Sequence, residues 1–500
     1  MAPFVVPRES FSMLYELYEA QRALLSPLAE FASASSKLYS NPMSPFARAP
    51  MADRVSAGFD LMNRLARDYE KPPFNITAVT VDDVEVVIQE QVALEKPFCR
   101  LLRFKRFTDE SQLLDEMKDQ PTVLVVAPLS GHHATLLRDT IKALLQHHKV
   151  YVTDWTDARM VPLEAGPFHL DDYVMYVQEF IRHIGADDVH VISVCQPTVP
   201  VLAAIALMAS AGEATPRSMT MMGGPIDARK SPTAVNNLAI NKPYEWFENN
   251  VIYKVPSNFP AAGRAVYPGF LQHTGFVAMN PDRHAKSHQD YFHDLIKGAD
   301  ESAAAHRQFY DEYNAVLDMP AEYYLDTIRT VFQDFSLVHG TWEVAGKLVK
   351  PQDIKTTALL TIEGELDDIS GAGQTRAAHD LCTGIAANKR FHYDAMGAGH
   401  YGIFSGRRWR EKVYPEVRKF IATFDAAAAE PAKQAPKPAA KPAAKPAVKP
   451  ARKAAPVVAA VRPTAAVAAA ANASSAKAVV KPAVRNTKAA ARKPAGRRAA

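Results

Sequence analysis

The chain has 500 residues and a formal net charge of +4, and 48% of its residues are hydrophobic, which is enough for a sizeable core. Its three cysteines, Cys99, Cys195 and Cys382, form no C-x-x-C pair, which excludes a disulfide framework and a thiolate zinc site. The stretch MAPFVVPRESFSMLYELYEAQ meets acidic residues before a signal-peptide core can develop, and no apolar run is long enough for a membrane span. These features predict a cytoplasmic protein with no metal site.

The charge is divided unevenly along the chain. From residue 431 onward there are ten Lys and six Arg and no acidic residue, so residues 1–430 carry a net charge of −12. The tail repeats Lys-Pro-Ala units and lacks aromatic residues, so burial cannot compensate the entropy of ordering it. We predict a disordered basic tail over 426–500. Such spaced charges suit nonspecific DNA binding; a solubilising linker, or a contact with acidic proteins, is the alternative.

Strands and helices alternate through the acidic part of the chain. Leucines at helical spacing in SMLYELYEAQRALLSPLAEF predict an N-terminal helical and lead-in segment over 1–110, packed on the core rather than bound to a membrane. The patterns that follow predict strands at 121–130, 149–155, 188–194, 217–225, 356–368 and 390–400, and helices at 135–148, at 170–185, after Cys195 and around 371–382. This alternation predicts an α/β fold with a mostly parallel sheet, whose site lies at the carboxyl ends of the strands.

Three reactive side chains follow such carboxyl ends. Cys195 follows the predicted strand at 188–194, Asp367 lies at the end of the strand at 356–368, and His400 lies at the end of the strand at 390–400. This is the chain order nucleophile, acid, histidine of the α/β-hydrolase arrangement. A thiolate can attack an ester, an imidazole can take its proton, and a carboxylate orients the imidazole. Asp367 is preferred because G-x-x-D from Gly364 places it just past the strand, and Asp368 is the alternative.

Taken singly, these residues have plainer explanations. A free cysteine flanked by valines is usually a small buried hydrophobe, and Cys99 and Cys382 keep that interpretation because neither lies at a strand-to-helix corner. His132 and His133 could bind a ligand, but exposed loop histidines are the commoner case. For Cys195, the conjunction of three carboxyl ends favours catalysis, although S-V-C-Q-P lacks the glycines of the usual G-x-S-x-G turn.

Several stretches resemble the intracellular polyhydroxyalkanoate (polyhydroxybutyrate, PHB) depolymerases. They are S-V-C-Q-P, TIEGELDDISG, GAGHYGIFSGRRWR and VAPLSGHHATLLRDTIKALLQHHKVYVTDW, and the similarity covers roughly residues 1–425 without the tail. The resemblance implies an α/β-hydrolase domain over 111–425, with a lid insertion at about 226–350. It also implies Cys195 as nucleophile, Asp367 as acid and His400 as base, acting on a stored polyester granule.

The implied reaction is acyl transfer from the polyester through an acyl-enzyme. The backbone amides of Gln196 and of one residue in the loop Leu129–Gly131, taken as Ser130, would hold the oxyanion. No cofactor is expected, although coenzyme A could replace water as the acyl acceptor. Eight aromatic residues within 244–276 suit a lid that adsorbs to the granule or lines an acyl tunnel, and equally suit the lid's own core.

Two other functions remain open at this point. A cysteine acyltransferase such as a polyester synthase shares the scaffold and the triad type, but it usually carries G-x-C-x-G, which is absent from this sequence. A granule-associated tethering protein would instead use the basic tail as its functional part.

Overall fold

The computed structural model describes residues 12–429, with side chains described over 14–425. The described residues belong to one compact unit. The last helix continues to Ala429, four residues past the boundary expected at 425. The remainder of the tail, with its predicted disorder and DNA binding, lies outside the described residues.

The strands are β1 (Ala78–Val81), β2 (Val84–Lys96), β3 (Cys99–Phe107), β4 (Thr122–Val126), β5 (Lys149–Trp155), β6 (Val189–Val194), β7 (Ser218–Met222), β8 (Tyr253–Lys254), β9 (Ala265–Tyr267), β10 (Met319–Pro320), β11 (Glu343–Val344), β12 (Lys347–Leu348), β13 (Ala358–Gly364) and β14 (Arg390–Ala395). Nine of them form one sheet in the order β1-β2-β3-β5-β4-β6-β7-β13-β14. The pairs from β5 to β14 are parallel, whereas β1, β2, β3 and β5 pair antiparallel. The expected mostly parallel α/β sheet is therefore confirmed.

The helices are α1 (Ser12–Ser40), α2 (Ala52–Ala66), α3 (Ser111–Asp119), α4 (Arg138–Leu145), α5 (Leu170–Ile184), α6 (Thr198–Ser210), α7 (Ala234–Asn241), α8 (Tyr244–Asn250), α9 (Gly269–Met279), α10 (Pro281–Lys297), α11 (Asp300–Tyr313), α12 (Ala321–Thr327), α13 (Ser336–His339), α14 (Ala378–Leu381), α15 (Gly406–Arg408) and α16 (Tyr414–Ala429). Single π-helical stretches follow α12 and α15, at Ile328–Gln333 and Trp409–Val413. No helix among those of the described residues is both long enough and apolar enough to cross a membrane.

The core lies on both faces of the parallel strands. Every residue of β6, β7 and β13 is buried, as expected for strands covered by helices on both sides. In β3, buried and more exposed positions alternate near its end, which suits an antiparallel strand towards the edge of the sheet. Residues 78–107, which the sequence analysis placed in the N-terminal segment, thus extend the main sheet.

The first two helices form an antiparallel pair, here called the N-terminal hairpin (residues 12–66), which packs on the insertion between β7 and β13. Tyr18 stacks on Phe270 of α9 with ring centroids 4.1 Å apart. The Tyr15 hydroxyl donates to Oδ2 of the buried Asp318 at 2.6 Å. At the other helix, Arg64 donates to Asp311 of α11 at 2.8 Å. One face of the hairpin is therefore fixed to the insertion, as the sequence predicted for this segment.

Candidate active site

Cys195 occupies the turn between β6 and α6. Its φ angle is +69°, a left-handed conformation that is costly for a residue with a side chain. Its backbone N–H donates to the carbonyl of Met222 on β7 at 2.7 Å, and its own carbonyl accepts from Thr198 at 3.1 Å. These bonds hold the strained turn, and the thiol is partly exposed at the N-terminal end of α6, where the helix dipole favours negative charge.

Asp367 and His400 meet at the neighbouring carboxyl ends. Oδ2 of Asp367 lies 2.8 Å from Nδ1 of His400, and both side chains are buried. Oδ1 of Asp367 accepts from the backbone N–H groups of Ile369 and Ser370, each at 2.9 Å. The carboxylate is therefore oriented before any substrate binds. Asp368 accepts instead from Asn280 at 2.7 Å on the exposed side, so the structure brings Asp367 rather than Asp368 to the histidine.

The imidazole of His400 links the carboxylate to the thiol. Burial by itself would lower the pKa of His400, but the charges of Asp367 and Cys195, together with hydrogen bonds to both, raise that pKa well above 6.5. Asp367 takes Nδ1 of His400, so Nε2 is the ring nitrogen that remains for the thiol. Cys195, His400 and Asp367 are therefore the candidates for a nucleophile, a base and an acid.

The loops beside Cys195 offer backbone donors for an oxyanion. Within residues 12–429, no protein acceptor is found for the backbone N–H of Gln196 or of Ser130. The loop of Ser130 follows β4, which pairs with β6 so that Val126 lies opposite Ser193. It is anchored by the carbonyl of Gly131, which accepts from Leu317 at 2.7 Å. Both predicted donors therefore stand at adjacent strand ends without a protein acceptor among the described residues.

Residues that no sequence motif indicated support the turn at Cys195. The side-chain Oε1 of Gln196 accepts from the buried hydroxyl of Tyr323 at 2.5 Å, which fixes the residue after the nucleophile. A methyl group on Gly224 would lie 1.8 Å from Oγ1 of Thr198 and 2.5 Å from the carbonyl oxygen of Cys195. The adjacent glycines in MMGGP, at the end of a predicted strand, were the available sequence signal for this close approach.

A cavity of about 240 Å³ adjoins the triad. Helices α9, α10 and α11 supply most of its wall, and Tyr401 and Asp368 close it next to His400 and Asp367. The rings of His400 and Tyr401 are 5.8 Å apart. Its aromatic lining residues are Phe276, Phe309, Tyr310, Tyr313 and Tyr401. The space beside the triad is thus suited to an apolar acyl group with a few polar atoms.

Residues 223–425 match the family model described as the PHB de-polymerase C-terminus, a range that contains Asp367 and His400. The match and the fold support a PHB depolymerase-like ester hydrolase. No curated protein matches the chain.

Solved structures with a similar fold include three hydrolases. The thioesterase domain from the curacin biosynthetic pathway is 9% identical, with 67% of this chain and 99% of that chain covered and a TM-score of 0.37. The 2-hydroxy-6-oxo-6-phenylhexa-2,4-dienoate hydrolase from Rhodococcus sp. strain RHA1 is 13% identical, covers 68% and 99%, and has a TM-score of 0.35. The Paleococcus ferrophilus monoacylglycerol lipase is 12% identical, covers 61% and 96%, and has a TM-score of 0.36. At such values the likeness carries no inference about the reaction.

The other candidate residues of the PHB depolymerase-like chain are explained by packing. Cys99 and Cys382 are buried, as predicted, and burial raises the pKa of the Cys382 thiol to about 12. The expectation of exposed loop histidines is wrong for His132 and His133, since both are buried. Burial lowers the pKa of His132 to about 4, and its ring stacks on Phe276 at 4.8 Å. The loop folds inward because it must meet the insertion at Val316.

Among the described residues, Glu363, His392 and Asp394 form a cluster of potential metal ligands. Their ligand atoms lie within 4.8 Å of one another. Both oxygens of Glu363 already accept from backbone N–H groups at 2.8 Å, and His392 contacts Asp394 at 2.9 Å. We assign no ion to this cluster.

Proposed function

We propose that the chain is an intracellular polyhydroxyalkanoate depolymerase that cleaves PHB through a Cys195–His400–Asp367 triad. The observation that carries this proposal is the set of three side chains at the carboxyl ends of β6, β13 and β14, in which Asp367 contacts His400 at 2.8 Å and Cys195 contributes to the raised pKa of His400. The match to the PHB de-polymerase C-terminus supports the choice of a polyester as substrate.

In the proposed reaction, the thiolate of Cys195 attacks the carbonyl carbon of a 3-hydroxyacyl ester. The charge that develops on the carbonyl oxygen is received by the backbone N–H groups of Gln196 and Ser130. Collapse of this intermediate breaks the ester C–O bond, and the protonated His400 gives its proton to the departing alkoxide. A thioester on Cys195 and a free hydroxyl end of the polymer result.

The second half-reaction returns the enzyme to its starting state. His400 removes a proton from water, and the resulting hydroxide attacks the thioester carbonyl and releases a 3-hydroxy acid from Cys195. No bound cofactor takes part in this proposal. Coenzyme A could serve as acceptor in place of water, in which case the product would be a 3-hydroxyacyl thioester.

The geometry favours one side of the site for the acyl chain. The cavity beside His400 and Asp367 is lined by aromatic rings, and its volume of about 240 Å³ suits a short hydroxyacyl unit rather than a long alkyl chain. The polar edge of the same cavity, with Asn280, Arg283 and Ser287, could receive the hydroxyl or ester oxygens of that unit.

The proposal is tested by product release from amorphous PHB granules. The wild-type chain should release 3-hydroxybutyrate, Cys195→Ala should release none, and Cys382→Ala should retain activity because its buried thiol is remote from the triad's hydrogen bonds. Cys195→Ser should also be nearly inactive, since a site built for a thiolate does not activate a hydroxyl. Incorporation of 3-hydroxyacyl-coenzyme A into polymer by the wild type would assign the acyltransferase function instead. Granule binding with neither activity would indicate a tether.

A further inference from the structure

Exposed large apolar side chains are concentrated on the N-terminal hairpin. By contrast, none of the eight aromatic residues in 244–276 is exposed, so they build the insertion's own core and the cavity wall. Phe247 and Tyr253 are buried and the other six are half-buried, so these aromatic side chains offer little apolar surface for contact with a granule. The exposed apolar residues of the hairpin are Leu14, Leu17, Leu24, Leu28, Phe31, Leu38, Met43, Phe46, Met51 and Leu65.

Six of these side chains form a single stripe along α1, here called the α1 stripe. Its members are three, four or seven residues apart, so they lie on one helix face. They are 40–79% exposed. The members are Leu14, Leu17, Leu24, Leu28, Phe31 and Leu38. At 1.5 Å per residue, the stripe is about 36 Å long. The buried Tyr15 and Ala29 mark the face that packs on the protein, and the buried Ala32 lies where that face borders the stripe.

The tip of the hairpin widens this apolar surface. Met43 is 91% exposed, and Phe46 and Met51 beside it are also exposed. A monomer rarely shows so many large apolar side chains together unless the surface contacts something. A single partner helix packed along α1 would leave the exposed residues at the tip uncovered. A broad, flat surface would cover both the stripe and the tip, and therefore fits better.

The charges around the α1 stripe indicate what kind of surface it can bind. No charged residue belongs to the stripe, and residues 12–66 contain five acidic and five basic side chains, a net charge of zero. Helices that bind anionic membranes carry Lys or Arg on their polar face. In α1 the acidic residues Glu16, Glu19 and Glu30 are balanced in part by two basic ones, Arg22 and Lys37. Arg22 is paired with Glu19 at 3.1 Å. The occupant should therefore be uncharged.

The residues that flank the stripe argue against a second copy of the chain. Coiled-coil partners are selected by charged residues beside the apolar seam. One flank of the α1 stripe holds Ala20, Pro27 and Ala34, and Pro27 lies inside the helix. None of these can form an ion pair with a partner helix.

The hairpin is joined directly to the elements that surround the candidate active site. Helix α2 binds α11 through Arg64 and Asp311, and Tyr291 of α10 donates to Asp60 of α2. Helices α10 and α11 are walls of the cavity beside His400. A polymer surface bound by the hairpin would thus be bound by the same compact unit that contains Cys195, Asp367 and His400.

We propose that the α1 stripe and the tip of the hairpin are the surface by which this chain adsorbs to its solid polyester, an uncharged apolar surface. This inference rests on the proposed function for the identity of the polymer. Adsorption would place polymer chains near the triad without contributing to the chemical step. Loss of the stripe should therefore reduce turnover of particles and leave turnover of a soluble ester unchanged.

The test compares two full-length triple variants with the wild type. Leu17→Gln/Leu24→Gln/Phe31→Gln removes the centre of the α1 stripe, and Leu163→Gln/Leu238→Gln/Leu348→Gln makes the same change at exposed leucines elsewhere. Each protein is sedimented with protein-free amorphous PHB particles at about 0.5 M salt, which screens the basic tail. Hydrolysis of a soluble 3-hydroxybutyrate trimer is measured in parallel and reports correct folding.

We expect the stripe variant to bind the particles at least about tenfold more weakly, because the burial of three large apolar side chains is lost. Wild type and the control variant should bind equally. Equal binding by the stripe variant, or no binding by the wild type, would overturn the proposal. Stronger binding of the wild type to phosphatidylglycerol vesicles than to polyester would also overturn it. So would light scattering that shows a dimer for the wild type and a monomer for the stripe variant. If the wild type binds particles but hydrolyses neither substrate, the proposed function fails and this surface stands.

Discussion

At the scale of single residues, Asp367 is distinguished from Asp368 by its partners. Asp367 accepts from His400 and from two backbone N–H groups, whereas Asp368 contacts only Asn280 among the hydrogen bonds found for its side chain. We expect Asp367→Asn to lower kcat on a soluble ester by about 1,000-fold or more, because an amide favours the wrong imidazole tautomer. KM should change little.

The matched control for this prediction is Asp368→Asn, which alters the same charge one position further along the chain. Its kcat should fall far less than that of Asp367→Asn, because the Asp368 carboxylate contacts Asn280 at the cavity wall rather than His400. The reverse ranking of the two variants would transfer the role of the acid to Asp368 and would require a different orientation of the loop at 364–370.

The protonation of His400 gives a pH prediction. Burial lowers the pKa of His400, but Asp367 and Cys195 outweigh it and raise that pKa above the unfolded value of about 6.5. Protonated His400 therefore adds stability that is fully present below about pH 6.5 and is lost as the pH rises through the folded pKa. In an NMR titration, His400 should titrate above 6.5 in the wild type and at lower pH in both Asp367→Asn and Cys195→Ala. Titration below 6.5 in the wild type would mean that burial dominates.

At the scale of elements, the turn after β6 depends on the segment after β7. The N–H of Gly224 donates to Oγ1 of Thr375 at 2.8 Å, and the same hydroxyl donates back to the Gly224 carbonyl at 3.0 Å. Since a methyl at Gly224 would collide with Thr198 and Cys195, Gly224→Ala should displace the nucleophile turn. We expect a loss of about 1–3 kcal/mol in the free energy of unfolding, and a kcat reduced by about 100-fold.

Gly58→Ala in α2 is the control for this substitution. Its added methyl group would have no neighbour within 4 Å, so urea denaturation should show unchanged stability or a gain of about 0.5–1 kcal/mol from helix propensity. Its kcat on a soluble ester should equal that of the wild type. A Gly224→Ala variant that behaved like this control would show that the turn can shift without cost.

The parallel half of the sheet could be predicted from the sequence because its strands are buried apolar runs that end at turn residues and are separated by crossover helices. Strand β5 was predicted at its observed bounds, and α5 to within one residue. The carboxyl-end rule then brought Cys195, Asp367 and His400 together without contact information. What the pattern could not supply was the choice between neighbours such as Asp367 and Asp368, which depends on side-chain direction.

Other elements were missed for identifiable reasons. The predicted helix around 371–382 is helical only over Ala378–Leu381. Gly373, with a φ angle of +87°, breaks it, and Thr375 turns inward to bind Gly224. Strands β1 to β3 were overlooked because they lie before the alternating pattern and join the sheet by antiparallel pairing. The burial of His132 depends on contacts with the insertion, far away in sequence.

At the scale of the whole molecule, the chain divides its charge between a body of −12 and a tail of +16 that begins at residue 431. The surface of the N-terminal hairpin that we propose for adsorption has no net charge. Binding through it should therefore depend neither on the acidic body nor on the basic tail. The body's own charge disfavours nucleic acid, and any affinity for DNA should come from the tail. Sixteen basic residues without an acidic neighbour can neutralise phosphates and release counterions without a fold.

We therefore predict that the full-length chain shifts duplex DNA in a gel at about 50 mM salt, with affinity falling steeply by about 200 mM. Truncation after Glu430 removes all sixteen tail charges and keeps α16, which ends at Ala429, intact. The truncated chain should not shift DNA and should keep its full activity on a soluble ester, because the triad lies entirely within residues 195–400. Without aromatic residues in the tail, base stacking is absent, so shifts of different duplex sequences should be equal. A full-length chain that leaves DNA unshifted at 50 mM salt would assign the tail to a solubilising role or to acidic protein partners.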